Sequence, residues 1–90
     1  MTLTIYSRPG CHLCDEMKAV VSRALRGTRA DATIEEIDIS GDPQLEAAYG
    51  LEIPVLLIDG KKVAKYRVTE AEVARMVIAR TGGAGEPRPS

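Results

Sequence analysis

Residues 7–16 read SRPGCHLCDE and contain both cysteines of the chain, with two residues between them. The segment before them, residues 2–6, is β-branched and aromatic with alternating apolar positions, which predicts a strand that ends in a loop at residues 8–10. After them, apolar residues recur at spacings of three and four until Gly27, which predicts an amphipathic helix. Cys11 is therefore expected at the N-terminus of a helix.

The middle of the chain predicts a second strand and a short helix. Residues 33–39 are strand-like, although the apolar positions change parity between Ile34 and Ile37, which indicates a bulge or a shifted boundary. Asp42-Pro43 then supplies an N-cap and a first-turn proline for a helix that ends before Gly50.

The last part of the chain predicts a hairpin and a helix. The apolar run 55–58 is followed by Asp59-Gly60, a favoured two-residue hairpin turn, and by the lysine-containing segment 61–67, which is typical of an edge strand. Residues 69–72, TEAE, fit a capping box for a helix that we expect to end at Gly82-Gly83.

These elements predict an α/β fold with a mixed sheet. In chain order the predicted strands are β1 (2–6), β2 (33–39), β3 (55–58) and β4 (61–67). A right-handed crossover makes β1 and β2 parallel, and the hairpin makes β3 and β4 antiparallel. The result is a four-stranded sheet covered by helices.

The composition is that of one globular domain. The chain has 90 residues, of which 44% are hydrophobic and 28% charged; we assign the domain to residues 1–81 and expect a flexible tail at 82–90. Twelve basic and thirteen acidic residues without a basic tract argue against nucleic-acid binding. The N-terminal residues lack a secretory pattern and no apolar run approaches roughly 18 residues, so we expect no membrane association and a cytoplasmic location.

Two cysteines at this spacing favour redox chemistry. A thiolate is the reactive form, and a free cysteine with a pKa of about 8.5 is mostly protonated at neutral pH. The helix N-terminus, Arg8 and His12 can each stabilise a thiolate at Cys11. Cys14, one helical turn later, is expected to be more buried and to resolve a mixed disulfide formed at Cys11.

Two alternatives remain for the cysteine pair. A purely structural disulfide would close a very short loop and would remove little entropy from the unfolded chain. A structural zinc site needs four donors, whereas the chain offers two cysteines and the single histidine His12. We therefore favour a redox pair with no bound metal.

With these residues in place, the sequence resembles the glutaredoxin-like branch of the thioredoxin-fold superfamily. The resemblance rests on IYSRPGCHLCDEMK, residues 5–18, and LEIPVLLIDGKKV, residues 51–63, and it covers residues 2 to about 80. It implies the sheet order β2-β1-β3-β4 with about three helices. It also implies a cis Ile53–Pro54 peptide that faces the cysteines and pairs with an extended substrate, and a role for Arg8 toward the thiolate and a glutathione carboxylate.

The sequence departs from the glutaredoxin pattern at two places. His12-Leu13 replaces the usual Pro-Tyr between the cysteines, and His12 either favours the thiolate or is an ordinary exposed residue of the helix start. The Gly-Gly pair and aspartate that hold glutathione are missing, since residues 64–70 read AKYRVTE. Lys65 or Arg67 could meet a carboxylate there, although such residues more often form a solvated edge.

The resemblance implies a dithiol–disulfide oxidoreductase that reduces protein or glutathione mixed disulfides. No tightly bound cofactor is expected; glutathione is the expected co-substrate, with a thioredoxin-type protein as the other candidate reductant. We expect a monomer. An alternative is a carrier in which two subunits each donate Cys11, with glutathione, to a [2Fe–2S] cluster. A non-catalytic module is disfavoured because a scaffold needs neither the cysteines nor Ile53-Pro54.

Overall fold

The computed structural model describes residues 1–80 and contains four strands and three α-helices. The strands are β1 (Thr2–Ser7), β2 (Thr33–Asp38), β3 (Val55–Ile58) and β4 (Lys61–Lys65), and the helices are α1 (His12–Thr28), α2 (Pro43–Tyr49) and α3 (Glu70–Arg80). The predicted tail, the domain end at residue 81 and the helix end at Gly82-Gly83 lie outside the described residues. Within residues 1–80, no helix is long and apolar enough to cross a membrane.

The strands form one mixed sheet in the order β2-β1-β3-β4, which confirms the predicted topology. β1 and β2 are parallel, from Thr2 opposite Thr33 to Ser7 opposite Asp38. β3 is antiparallel to both β1 and β4. The lysine-containing β4 is an edge strand, as its composition indicates.

The helices cover the two faces of this sheet. Side chains alternate between faces along a strand, so Leu3 and Ile5 point to one face and Tyr6 to the other. α1 and α3 contact each other and pack with Leu3 and Ile5 on the first face. On the second face the rings of Tyr6 and Tyr49 of α2 lie 4.8 Å apart. The buried core cluster consists of Leu3, Ile5, Met17, Val21, Ala24, Leu56, Ile58, Val73 and Val77.

Local sequence signals explain where the helices begin. The Asp42 carboxylate accepts hydrogen bonds from the backbone N–H groups of Gln44 and Leu45, and Pro43 occupies the first turn of α2. At α3 the Thr69 hydroxyl accepts from the N–H of Glu72, and the Glu72 carboxylate accepts from the N–H of Thr69. Both N-termini therefore have the caps that the sequence predicts.

The hairpin turn connects β3 to β4 and is also hydrogen-bonded to the start of β1. Asp59 and Gly60 have φ values of 50° and 86°, the left-handed backbone that a two-residue turn of this kind requires. The Asp59 carboxylate accepts from the N–H of Thr2 at 2.9 Å, and the Asp59 N–H donates to the Thr2 carbonyl at 2.8 Å. The turn is thus tied to the N-terminal end of β1.

Four boundaries differ from the prediction: β1 extends to Ser7, β2 and β4 end at Asp38 and Lys65, and α1 extends past Gly27. α1 continues through Gly27 to Thr28 and stops at Arg29, which is left-handed with φ 55°. β2 pairs with β1 without interruption and ends at Asp38, so Ile34 and Ile37 point to opposite faces of a sheet that helices cover on both sides. The bulge lies in the hairpin instead, where the partners of Leu56 and Leu57 are Ala64 and Lys62.

Candidate active site

The cysteines and the Ile53–Pro54 peptide lie at the same end of the sheet. Tyr6 pairs with Val55, so Pro54 lies beside the C-terminal end of β1, where the chain enters the loop to Cys11. The Ile53–Pro54 peptide is cis, as the resemblance implies, and Pro54 is buried. The Tyr66 N–H donates to the Pro54 carbonyl at 2.8 Å, which fixes this peptide against the end of β4.

Cys11 and Cys14 form a disulfide with 5.2 Å between their Cα atoms. Cys11 is the N-cap of α1, and its Sγ accepts a hydrogen bond from the Cys14 N–H at 3.0 Å. Cys14 is fully buried, whereas Cys11 is partly exposed. An external reagent therefore reaches Cys11, and the N–H groups of the helix start favour negative charge on its sulfur.

The residues before Cys11 form the turn that leads into the N-terminus of α1. Gly10 has φ 76°, a backbone conformation that glycine adopts without the strain of a side chain. The Cys11 N–H donates to the Arg8 carbonyl at 3.3 Å, and Asp15 donates to the Cys11 carbonyl at 3.3 Å. The backbone of Arg8 thus lies within one turn of the reactive sulfur.

The side chain of Arg8 binds Glu46 of α2. Its Nε and Nη2 donate to the two carboxylate oxygens of Glu46, and this hydrogen bond raises the pKa of Arg8 above its ordinary value. The sequence prediction did not identify Glu46, because a pairing across 38 positions leaves no local pattern. The predicted role of Arg8 toward a Cys11 thiolate stays a prediction.

Gly50 provides the space in which this ion pair packs. It is a buried residue at the C-terminal end of α2. A Cβ at this position would lie 2.7 Å from Glu46 Oε1 and 2.9 Å from Arg8 Nη2. The pair therefore rests directly on the backbone of residue 50, and a larger residue would displace it.

We expect Gly50→Ala to destabilise the protein and Gly27→Ala to stabilise it. The Gly50 Cβ would also lie 2.5 Å from the Glu46 backbone oxygen; because no side-chain rotation relieves that contact, the cost should be about 1–3 kcal/mol. Gly27 lies within α1 with no described atom within 4 Å of its Cβ position, so alanine should gain about 1 kcal/mol. Chemical denaturation measures both changes, and shifts of the same sign would contradict the expectation.

His12 is an exposed residue of the first turn of α1. Its side chain is 86% exposed, and its Nε2 lies 3.0 Å from Glu16 Oε2. The other oxygen of Glu16 lies 3.8 Å from Nη1 of Arg67. Glu16 therefore contacts both His12 and Arg67, and the predicted role of His12 in thiolate stabilisation stays a prediction.

The loop before Pro54 is tied to β4 by polar contacts. Glu52 accepts from Lys62 Nζ at 2.8 Å and lies 3.8 Å from Lys65 Nζ. The hydrogen bond from Lys62 lowers the pKa of Glu52. Tyr66, which has φ 68°, donates its hydroxyl to the Leu51 carbonyl at 3.1 Å. Lys65 thus meets a carboxylate of its own chain, as Arg67 does.

Two hollows flank the cysteine loop. One, of about 270 Å³, lies between α1 and the segment after β4, and its walls include Leu13, Met17 and Val68. The other, of about 310 Å³, is polar and includes Arg8, Asp15 and Asp38. Across residues 1–80, no three His, Cys, Asp or Glu side chains are grouped to hold a metal ion.

Known proteins share the sequence pattern and the fold of this chain. The family profile described as "Glutaredoxin-like domain (DUF836)" matches residues 2–77. The glutaredoxin-like protein YDR286C homolog of Dictyostelium discoideum is 32% identical over 74 residues, which are 78% of this chain and 68% of that protein. Among solved structures, protein XcR50 from X. campestris has a TM-score of 0.64 and 35% identity, covering 86% of this chain and 96% of XcR50.

The fold extends to thioredoxins at lower identity. A thioredoxin variant from Halobacterium salinarum has a TM-score of 0.59 and 24% identity, covering 98% of this chain and 77% of that one. This likeness shows the thioredoxin fold. The profile match over residues 2–77 and the 32% identical Dictyostelium protein establish that the chain belongs to the glutaredoxin-like family.

Proposed function

We propose that the protein is a dithiol–disulfide oxidoreductase that reduces protein or glutathione mixed disulfides. The observation that carries the proposal is the asymmetry of the cysteine pair. Cys11 is partly exposed at the N-terminus of α1, whereas its partner Cys14 is fully buried. This arrangement gives one sulfur access to a substrate and keeps the other available only to Cys11.

The first step is attack on the substrate disulfide. In the reduced protein the Cys14 N–H, which lies 3.0 Å from Cys11 Sγ in the disulfide form, favours the Cys11 thiolate. The thiolate forms a bond to one substrate sulfur, the substrate S–S bond breaks, and the other sulfur leaves with the electron pair and takes up a proton. The product is a mixed disulfide at Cys11. Ile53 and Pro54 are the proposed contacts for the substrate backbone, since they lie beside the same end of β1.

The second step closes the protein disulfide. The Cys14 thiol loses its proton and attacks Cys11 Sγ, the bond from Cys11 Sγ to the substrate breaks, and the remaining substrate sulfur leaves as a thiolate that takes up a proton. The substrate has then gained two electrons and two protons, which the protein dithiol has lost. Two molecules of glutathione, or one dithiol of a thioredoxin-type protein, restore the dithiol. The proposal includes a monomer acting in the cytoplasm, where such thiols are kept reduced.

A cycle of reduction and reoxidation tests the proposed function. Protein reduced with dithiothreitol and freed of reagent should convert bis(2-hydroxyethyl) disulfide to thiols in stoichiometric amount, and continuously when reduced glutathione or dithiothreitol is supplied. Intact mass should show the loss of two hydrogen atoms as the protein reoxidises. A dithiol that reduces no disulfide would contradict the proposal. Brown colour and visible absorbance after anaerobic purification would favour the iron–sulfur carrier instead.

A further inference from the structure

The guanidinium of Arg8, in the turn that precedes Cys11, already forms an ion pair with another side chain of the protein. The backbone carbonyl of Arg8 accepts the Cys11 N–H, so Arg8 belongs to the turn that carries Cys11, and its guanidinium is the cation that could turn toward a ligand on the sulfur. That guanidinium instead makes two hydrogen bonds to the Glu46 carboxylate. A permanent cation that is paired in this way attracts a further anion less than a free one does.

We propose that Glu46 is a specificity-determining residue that disfavours thiols carrying carboxylates, such as glutathione, by holding Arg8 away from them. The inference rests on the proposed oxidoreductase function and ranks its reactants: uncharged or cationic thiols and disulfides should react faster than glutathione and its mixed disulfides. Glutathione carries two carboxylates and one ammonium group, so its mixed disulfide would bring net negative charge to Cys11. Glu46 removes the cation that could compensate it.

The Arg8–Glu46 ion pair is packed against the protein and is more than a contact between two fully exposed side chains. The Arg8 and Glu46 side chains are only 37% and 33% exposed. Gly50 leaves no room for a Cβ between them and the backbone. The pair is therefore partly buried and closely packed, unlike the fully exposed ion pairs that contribute little.

A second carboxylate, that of Glu16, contacts the residue that follows Cys11 in the chain. The Glu16 oxygens lie 3.0 Å from His12 Nε2 and 3.8 Å from Arg67 Nη1. Both nitrogen-bearing side chains closest to Cys11 in sequence, Arg8 and His12, thus contact a carboxylate of the chain. An anionic thiol gains no unpaired cation from either of them.

Rates of reduction of the Cys11–Cys14 disulfide by thiols of different charge test the inference. We would compare glutathione, uncharged 2-mercaptoethanol and cationic cysteamine on wild type and Glu46→Gln. Glutamine keeps the shape of the side chain and removes its charge, so the rate constant for glutathione should rise about 1.4- to fivefold, the range expected for a partly exposed ion pair. The rate constant for 2-mercaptoethanol should stay unchanged and that for cysteamine should fall.

Two further variants separate charge at this site from other effects. Glu70→Gln removes the same charge from a carboxylate that pairs with Arg23 at 3.3 Å, roughly 16 Å along α1 from the cysteines, and should leave all three rate constants unchanged. The double variant Arg8→Gln/Glu46→Gln should lose the gain with glutathione. The gain should also shrink at high salt, because exposed charges are screened.

The outcomes distinguish this inference from the proposed function. Equal changes for all three thiols in Glu46→Gln, or no change, would overturn the role of Glu46 while leaving the oxidoreductase proposal intact. A gain that persists without Arg8 would also overturn it. A wild-type disulfide that none of the thiols reduces would instead contradict the proposed function itself.

Discussion

Cys11→Ser is expected to remove disulfide turnover and leave the fold intact. Only the exposed sulfur can start the exchange, and a serine hydroxyl is not ionised at neutral pH and forms no mixed disulfide. The rate should fall to that of the uncatalysed reaction between the reducing thiol and the substrate disulfide. Circular dichroism should remain that of wild type, because Cys11 contributes an N-cap acceptor that serine retains.

Cys14→Ser is the matched control for this loss. Its Cys11 still attacks, but no buried thiol resolves the product, so a mixed disulfide with the substrate should accumulate. Intact mass would show the adduct in Cys14→Ser and none in Cys11→Ser. Adducts on Cys14 in the Cys11→Ser protein would contradict the assignment of roles, because Cys14 is fully buried.

Leu56→Ala is expected to cost about 2–5 kcal/mol of unfolding free energy. Leu56 is fully buried in the inner strand β3, opposite Ile5 of β1, and it belongs to the core cluster. Truncation removes its contacts and leaves a cavity beneath α1 and α3. Small domains are stable by about 5–15 kcal/mol in total, so this one change removes a large share.

Leu51→Ala provides a control with the same chemical change. Leu51 is 93% exposed, and its contact with Tyr66 uses the backbone carbonyl, which alanine retains. Its stability should change by at most about 0.5 kcal/mol. Urea denaturation of both variants gives the comparison; equal costs would mean that burial in this structure does not determine stability.

The sequence is sufficient to predict the backbone conformation wherever that conformation depends on a few neighbouring residues. The capping box at Thr69 and Glu72, the Asp42-Pro43 helix start and the Asp59-Gly60 turn each occur as predicted. These signals act within four residues, so no knowledge of the rest of the fold is needed.

The errors occurred where tertiary packing outweighs local preference. A glycine costs a helix about 1 kcal/mol, and the packing of Ala24 and Leu25 on the core is sufficient to carry α1 through Gly27. Ile34 packs on the core while Ile37 stands on the opposite face of the sheet. The apparent break in the apolar periodicity of β2 arises because helices cover both faces of the sheet.

The sequence predicts the position of the two cysteines in the site, but it does not predict the ion pairs around them. Cys11 and Cys14 lie within one turn of a helix, so spacing alone places them together. The Arg8–Glu46 and Arg67–Glu16 pairs join elements far apart in the chain. Which acid meets which base there depends on how α2 and the end of β4 pack, and that is a property of the whole fold.

The bond between Asp59 and Thr2 also has a practical consequence for handling the protein. It places residue 1 beside the hairpin turn, at the opposite end of β1 from the cysteines. Six strand residues separate these ends by about 17 Å. Molecules immobilised on a resin or an electrode through a linker at residue 1 should therefore present their cysteines outward, accessible to reagents in the flowing buffer.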